Sequence, residues 1–271
     1  MIGRGLRRAL VGLSWTLEAA GRAVRYVDIG TRPLSAMREA TCEVWSDFNA
    51  DEASVDAGWM PWERLLVARV VTAGDRVLLI GSGTGRDLIP FVEMGCRVTG
   101  IEPSGPAVAV ARRALERRRL AATIIEGFVE EVPLDGSFDV IVFSYFCYSY
   151  VFDSERRVDL LKKLRPHLAD GGRILITCHG VPSAELQPRS RVLSMARVAN
   201  RWRKPGWRLE RGDCFERSSH SPSAFQFVHV FTKEEVAGEA QRGGFSVEPT
   251  DVLDAYVLRA FAGSGNVVGP S

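Results

Sequence analysis

The chain has 271 residues, 46% of them hydrophobic and 25% charged, with a formal net charge of +2. That composition can fill one large α/β domain with a smaller appended lid, and the near-neutral balance excludes a global bias toward nucleic acid. The five cysteines (Cys42, Cys96, Cys147, Cys178 and Cys214) never stand at C-x-x-C spacing, and the four histidines form no metal set. This favours reduced thiols in a cytoplasmic compartment, and no apolar stretch reaches the roughly 18 residues of a membrane span.

The first segment, residues 1–32, is basic, and Leu6, Leu10, Leu13, Leu17 and Val24 recur at helical spacing. The pattern predicts an amphipathic helix. Glu18 and the later arginines interrupt it, so it is no secretion signal. Such a helix most often covers a core or a partner copy; peripheral contact with anionic lipid is the other reading. Residues 41–69 hold Trp45, Phe48, Trp59 and Trp62, and Trp62–Val70 reads as a helix leading into the first strand. Trp45 and Phe48 are either pocket walls or packing residues.

The central stretch follows. Val77–Ile80 is an apolar run suited to a strand buried on both faces. Gly81, Gly83 and Gly85 then alternate, a helix over Leu88–Val92 ends near Gly95, and Arg97–Ile101 is a second strand delivering Glu102. Bare glycine backbone lets a ligand lie against the turn, and a carboxylate after the second strand can accept from ribose hydroxyls. Arg86 stands where a dinucleotide fingerprint would want glycine. The unit therefore reads as a nucleoside holder.

Ser104–Arg119 is a helix whose C-terminal arginines suit its dipole. Thr123–Glu126 and Phe138–Phe143 are further strands, with the aromatic run Tyr145, Phe146, Tyr148 and Tyr150 beyond the latter. Ser154–Leu168 reads as a helix ended by Asp170-Gly171-Gly172. Arg173–Cys178 is then a strand with His179 at its end. The glycine turn, Glu102, Phe128, Tyr145 and His179 all follow strands, so an open parallel sheet gathers them at one edge.

Val181–Val228 has weak periodicity and nine Lys/Arg, from Arg189 to Arg217, against four acids. It reads as a lid over a substrate site. Its charge either suits an anionic acceptor or is solvated, with arginines paired to Glu185, Glu210, Asp213 and Glu216. Thr232–Gln241 is a helix opened by a capping box of Thr232 and Glu235. Phe245–Glu248 and Ala255–Phe261 are the last strands, and the Gly-rich tail is expected to be disordered.

The motifs VLLIGSGTG, GIEPS, GFVEEVPL, SFDVIVFSYF and LRPHLADGGRILIT together resemble class I S-adenosylmethionine (SAM)-dependent methyltransferases over residues 60–263. The resemblance implies a Rossmann-like α/β fold: a seven-stranded, mostly parallel sheet flanked by helices, with an N-terminal helical cap and a lid insertion before the last strands. The expected divisions are 1–60 (cap), 61–180 (SAM-binding core), 181–228 (lid), 229–263 (rest of the core) and 264–271 (tail). It also implies that Gly81, Ser82, Gly83 and Gly85 face the methionine end of SAM and that Glu102, with Pro103, holds the ribose. Phe128 and Val129 would surround the adenine, and Ser144 and Tyr145 would line the transfer site. Two positions depart from the usual pattern. Leu79 stands where many relatives carry an acid, and Phe128 where many carry Asp.

The expected reaction is in-line attack by an O, N, C or S nucleophile of a small-molecule acceptor on the sulfonium methyl, without a metal. Positioning supplies most of the catalysis. His179 is the candidate base, having an unperturbed pKa near neutrality, and Tyr145 orients the nucleophile. Tyr148 and His220 join Trp45 and Phe48 as candidate acceptor contacts. The competing readings are a catalytically silent SAM-fold binding protein and a nucleic-acid or protein methyltransferase using the basic lid. Against the last, Ser144-Tyr145-Phe146-Cys147 replaces the Asn/Asp-Pro-Pro-aromatic stretch of amino-methylating nucleic-acid enzymes.

Overall fold

A computed structural model of the chain describes residues 4–48, 53–183, 191–217, 225–252 and 254–261. The strands are β1 (Arg76–Ile80), β2 (Arg97–Glu102), β3 (Thr123–Glu126), β4 (Phe138–Phe143), β5 (Leu168–Thr177), β6 (His179–Gly180), β7 (Asp213–Arg217), β8 (Phe225–Phe231), β9 (Phe245–Pro249) and β10 (Ala255–Ala260). Seven of them form one sheet in the order β3-β2-β1-β4-β5-β10-β9. The first five of that order run parallel, and β10 enters antiparallel to both neighbours. This is the expected Rossmann-like architecture.

Alternation along β1 divides the core. Leu78 and Ile80 join Ile141, Phe143, Ile174 and Ile176 on one face. There they pack against α7 (Ser154–Leu164) and α9 (Lys233–Gly243), through Leu160, Leu161, Leu164, Val236 and Ala240. Val77 and Leu79 join Val98, Val140 and Val142 on the other. Their partners come from α4 (Pro61–Val70), α5 (Leu88–Glu93) and α6 (Gly105–Arg118). A parallel sheet needs both faces covered, which is why β1 is apolar at every position after Arg76. Leu79 is fully buried in this second core.

A third apolar cluster lies apart from the sheet. Ile29 of α1 (Arg4–Gly30) and Met37 of α2 (Leu34–Phe48) pack with Ala196 of α8 (Arg191–Arg203) and with Trp207, Leu209, Phe215 and Phe227. Here β8 lies between β6 and β7 in a small separate sheet. The remaining helix, α3, spans Ala53–Ala57. None of the described helices is long and apolar enough to cross a membrane, and all five cysteines are free thiols.

Three expectations are corrected. The helix expected over Ser154–Leu168 ends at Leu164 and passes through a 3₁₀ turn at Arg165–His167. Pro166 cannot continue an α-helix. Asp170-Gly171-Gly172 is therefore no helix terminus; it lies inside β5, where the register with β4 shifts between Phe138 and Val140. The break drawn at 228 falls inside β8. Finally, Glu210 and Asp213 do not neutralise lid arginines. Glu210 pairs with Arg157 at 3.0 Å, and Asp213 with His229 at 2.6 Å.

Candidate functional site

The strand ends of β1, β2 and β4 are stitched by backbone hydrogen bonds. Gly81 N donates to Ile101 O (2.8 Å), Ser144 N to Ile80 O (3.0 Å) and Gly127 N to Glu102 O (3.0 Å). These bonds carry the chain from each strand into a loop at the same edge. Gly81 has φ +77°, and a Cβ there would run into Cys147 Sγ. No other residue fits, so the turn stays bare.

Beyond this edge lies a cavity of about 270 Å³. Its floor is Gly81, Ser82 and Gly83 with Glu102 and Pro103; one wall is Phe128 and Val129, another Ser144, Tyr145 and Cys147. Arg38, Thr41 and Trp45 of α2 and Met60 cover it, and Tyr150 and Phe152 complete the apolar lining.

Glu102 is buried and turned into the glycine turn. Its Oε2 accepts from Gly83 N and its Oε1 from Ser104 N, both at 2.9 Å. Burial pushes its carboxyl above the usual range, and the two amides pull it back only in part. Arg38 lays its guanidinium over the Phe128 ring, 4.6 Å from the centroid, and pairs with Glu130 at 3.2 Å and with Glu131. Lys163 Nζ holds the same loop by donating to the carbonyls of Val129, Glu130 and Val132 at 2.7–3.0 Å.

A buried charge cluster adjoins the turn. Arg86 makes two 2.7 Å bonds to Glu63 and lies over the Tyr145 ring. Asp87 Oδ2 accepts from Ser144 Oγ in a short hydrogen bond. Arg86 Nη2 also pairs with Asp87 Oδ1 at 2.7 Å. The neighbouring Ser82 Oγ is buried without a hydrogen-bond partner among the described residues. Burial pushes the Asp87 carboxyl up to about 6, against the pull of Arg86.

The structure gathers Gly81, Ser82, Gly83, Glu102, Pro103, Phe128, Val129, Ser144, Tyr145 and Trp45 around one cavity. Other expected residues are placed elsewhere. Gly85 packs against Ala111 and Ile89 behind the turn. His179 stacks on Phe146 (4.5 Å between centroids) and meets Tyr150 edge-on (6.3 Å). It does not line the cavity, although Tyr150 does. Tyr148 departs from the expectation of an acceptor contact: the 3₁₀ turn at Cys147–Tyr150 points it into the core, where its hydroxyl donates to Glu239 at 2.9 Å. His220 lies outside the described residues, as does the side chain of Phe48.

No described residue of the 181–228 segment lines the cavity. Its apolar residues are committed to the cluster with Ile29 and Met37, leaving α2 as the cover. Sequence reasoning missed Arg38, Arg86, Asp87 and Cys147. Arg86-Asp87, directly after the third glycine, was the available signal for a charged rim. Among the described residues no group of three or more potential metal ligands gathers.

Comparison with known proteins places this geometry. Residues 77–172 match the family described as "Methyltransferase domain". The cypemycin N-terminal methyltransferase of a Streptomyces species is 30% identical over 107 residues, 39% of this chain and 42% of that protein. A ubiquinone biosynthesis O-methyltransferase of Rhodopseudomonas palustris (strain TIE-1) is 32% identical over 87 residues, 32% of this chain and 34% of that protein. The chain thus spans less than half the length of these curated relatives. Among solved structures, the DhpI–SAH complex superposes with a TM-score of 0.56 at 17% identity, covering 83% of this chain and 97% of that one. At that identity the likeness concerns the fold. Residues 77–172 therefore match a methyltransferase domain, set within a Rossmann-like fold.

Proposed function

We propose that the chain is a SAM-dependent methyltransferase acting on a small-molecule acceptor. The observation that carries this is the cavity itself. A bare glycine turn, a buried carboxylate and an aromatic ring, each following a different strand, face one space.

These residues fit SAM. Bound there, it supplies a methyl group on a positively charged sulfur. The protein's part is to bind, orient and exclude water. Glu102 has lone pairs left after accepting from two amides, which suits ribose hydroxyls. Phe128 and Val129 offer apolar and stacking surface to the base. Asp87 brings a carboxylate to the rim of the turn and makes up for Leu79, which the core has claimed. Charges lining the cavity are Arg38 and Arg86 against Asp87, Glu102 and Glu130. That balance suits a cation, and it gives the expected anionic acceptor no support.

Trp45, Met60, Tyr150 and Phe152 leave an apolar remainder for the acceptor. Positioning in a water-poor space then supplies most of the rate. Tyr145 is placed to orient the nucleophile. His179 supports Phe146 and Tyr150 from behind. Helix α2 acts as the acceptor-side cap.

Isothermal titration tests the proposal. SAM and its demethylated product should both bind, and Glu102→Ala should weaken each by about 1–3 kcal/mol. Absence of binding at about millimolar ligand, a weak limit of about −4 kcal/mol, overturns it. Binding without methyl transfer across an acceptor panel overturns the enzymatic half.

A further inference from the structure

The N-terminal helix does not cover the core with its apolar stripe. Leu13, Leu17 and Val24 of α1, which fall on one helical face, are exposed. Ile29 and Tyr26 hold its C-terminal half to the body from the other side. Alongside, α8 turns Met195, Val198 and Trp202 outward, with Trp202 88% exposed. A groove lined by Val27, Thr31, Met195, Val198 and Trp202 joins the two helices into one surface. Scattered apolar residues on a surface need no account, but a continuous two-helix face does.

Charge points to the occupant. Arg201 and Arg203 bracket Trp202, Lys204 follows, and Arg197 lies one turn before Arg201; all four are exposed and ion-pair with no described acid. The nearby acids are engaged: Asp28 pairs with Arg32 at 2.7 Å, and Glu18 accepts from Ser14 at 3.4 Å. A second copy docked symmetrically would press these cations against their own kind. A negatively charged lipid headgroup layer neutralises them, takes the leucines and valines below it and suits tryptophan at its boundary.

We infer that the α1–α8 face is a peripheral docking surface for an anionic lipid bilayer, with α1 lying in the plane of the headgroups. The inference is independent of the methyl-transfer reading. The residues it uses are distant in sequence from the glycine turn, and its failure leaves that reading untouched.

Cosedimentation of the full chain with vesicles tests it. Phosphatidylcholine vesicles containing phosphatidylglycerol should pellet the protein at least about tenfold better than phosphatidylcholine alone, and added salt should release it. Trp202→Ala with Val198→Ser, and separately Arg201→Glu with Arg203→Glu, should each abolish the difference. Both pairs are exposed, so an unchanged melting temperature and unchanged SAM titration separate lost docking from lost folding. Equal pelleting by both vesicle types, or pelleting that survives both variants, overturns the inference. So does a vesicle-independent dimer in sedimentation that Trp202→Ala dissociates, since the face then belongs to a second copy.

Discussion

Two arginines, Arg157 and Arg86, are each paired with two carboxylates, and their surroundings lead to opposite consequences. Arg157 is 1% exposed and saturated. It bonds Glu239 three times at 2.8–3.0 Å, Glu210 at 3.0 Å and the Val151 carbonyl at 3.1 Å, and it lies over Phe231. Tyr148 and Ser154 use the same two carboxylates. This cluster ties α7, α9 and the chain before β7 together, and neither Arg157 nor its two carboxylates lines the cavity. The Arg86 cluster borders the cavity, which both Arg86 and Asp87 line. A buried ion cluster enclosed by the core is a joint; one that lines a cavity can meet a ligand.

Breaking the joint should have the largest effect. Arg157→Met strands Glu239 and Glu210 in the interior, and urea denaturation should register a loss of about 3–5 kcal/mol. A loss below about 1 kcal/mol would show that the carboxylates find water or protons without it, and the contrast would fail.

The Arg86 cluster should respond through pH and ligand instead. Burial raises the Asp87 carboxyl to about 6 in the fold, above its unfolded value near 3.9. The folded state therefore holds the proton more tightly. The resulting stability is fully present below about pH 4 and is lost as pH rises through about 6. Relative to Asp87→Asn, the wild type should lose about 1–3 kcal/mol across that window in denaturation midpoints. SAM affinity should move the other way, strengthening in the wild type as the carboxylate ionises while Asp87→Asn stays flat. Parallel pH profiles of affinity for the two proteins would remove Asp87 from the binding site.

The smallest effect is the control. Arg69 and Asp251 approach to 2.5 Å on the surface, where both are more than half exposed. Asp251→Ala should change stability by less than about 1 kcal/mol. A larger change would mean that pairing itself, and not burial, governs the two inner clusters.

The glycine turn and Glu102 were readable from the chain because they rest on local rules. Three glycines in five residues demand positive φ or close approach, and β1 holds a short apolar run, Val77–Ile80, followed by those turn residues. Cys147 against Gly81 shows why the turn cannot carry a side chain, but that contact joins residues 66 positions apart. The errors also have local explanations. Asp170-Gly171-Gly172 resembles a helix terminus, yet Pro166 had already stopped the helix. Tyr148 belongs to an aromatic run at a strand end, and within the 3₁₀ turn at Cys147–Tyr150 it is buried in the core while Tyr145 and Tyr150 line the cavity. His179 does follow a strand, but two aromatic rings stand in front of it.

By itself the sequence determined β1 to β5 and the helices between them, the bare turn, the acid after β2 and the amphipathic character of α1, because each depends on neighbours within about one helical turn or on alternation along a strand. Tertiary structure alone decided that α2, rather than the arginine-rich insertion, covers the cavity, that Arg86 and Asp87 border it, and that the apolar stripe of α1 faces outward. Those outcomes turn on which distant apolar surfaces pack together first and which are left over. Spacing states that a helix has two faces; only its packing partners determine which one meets the solvent.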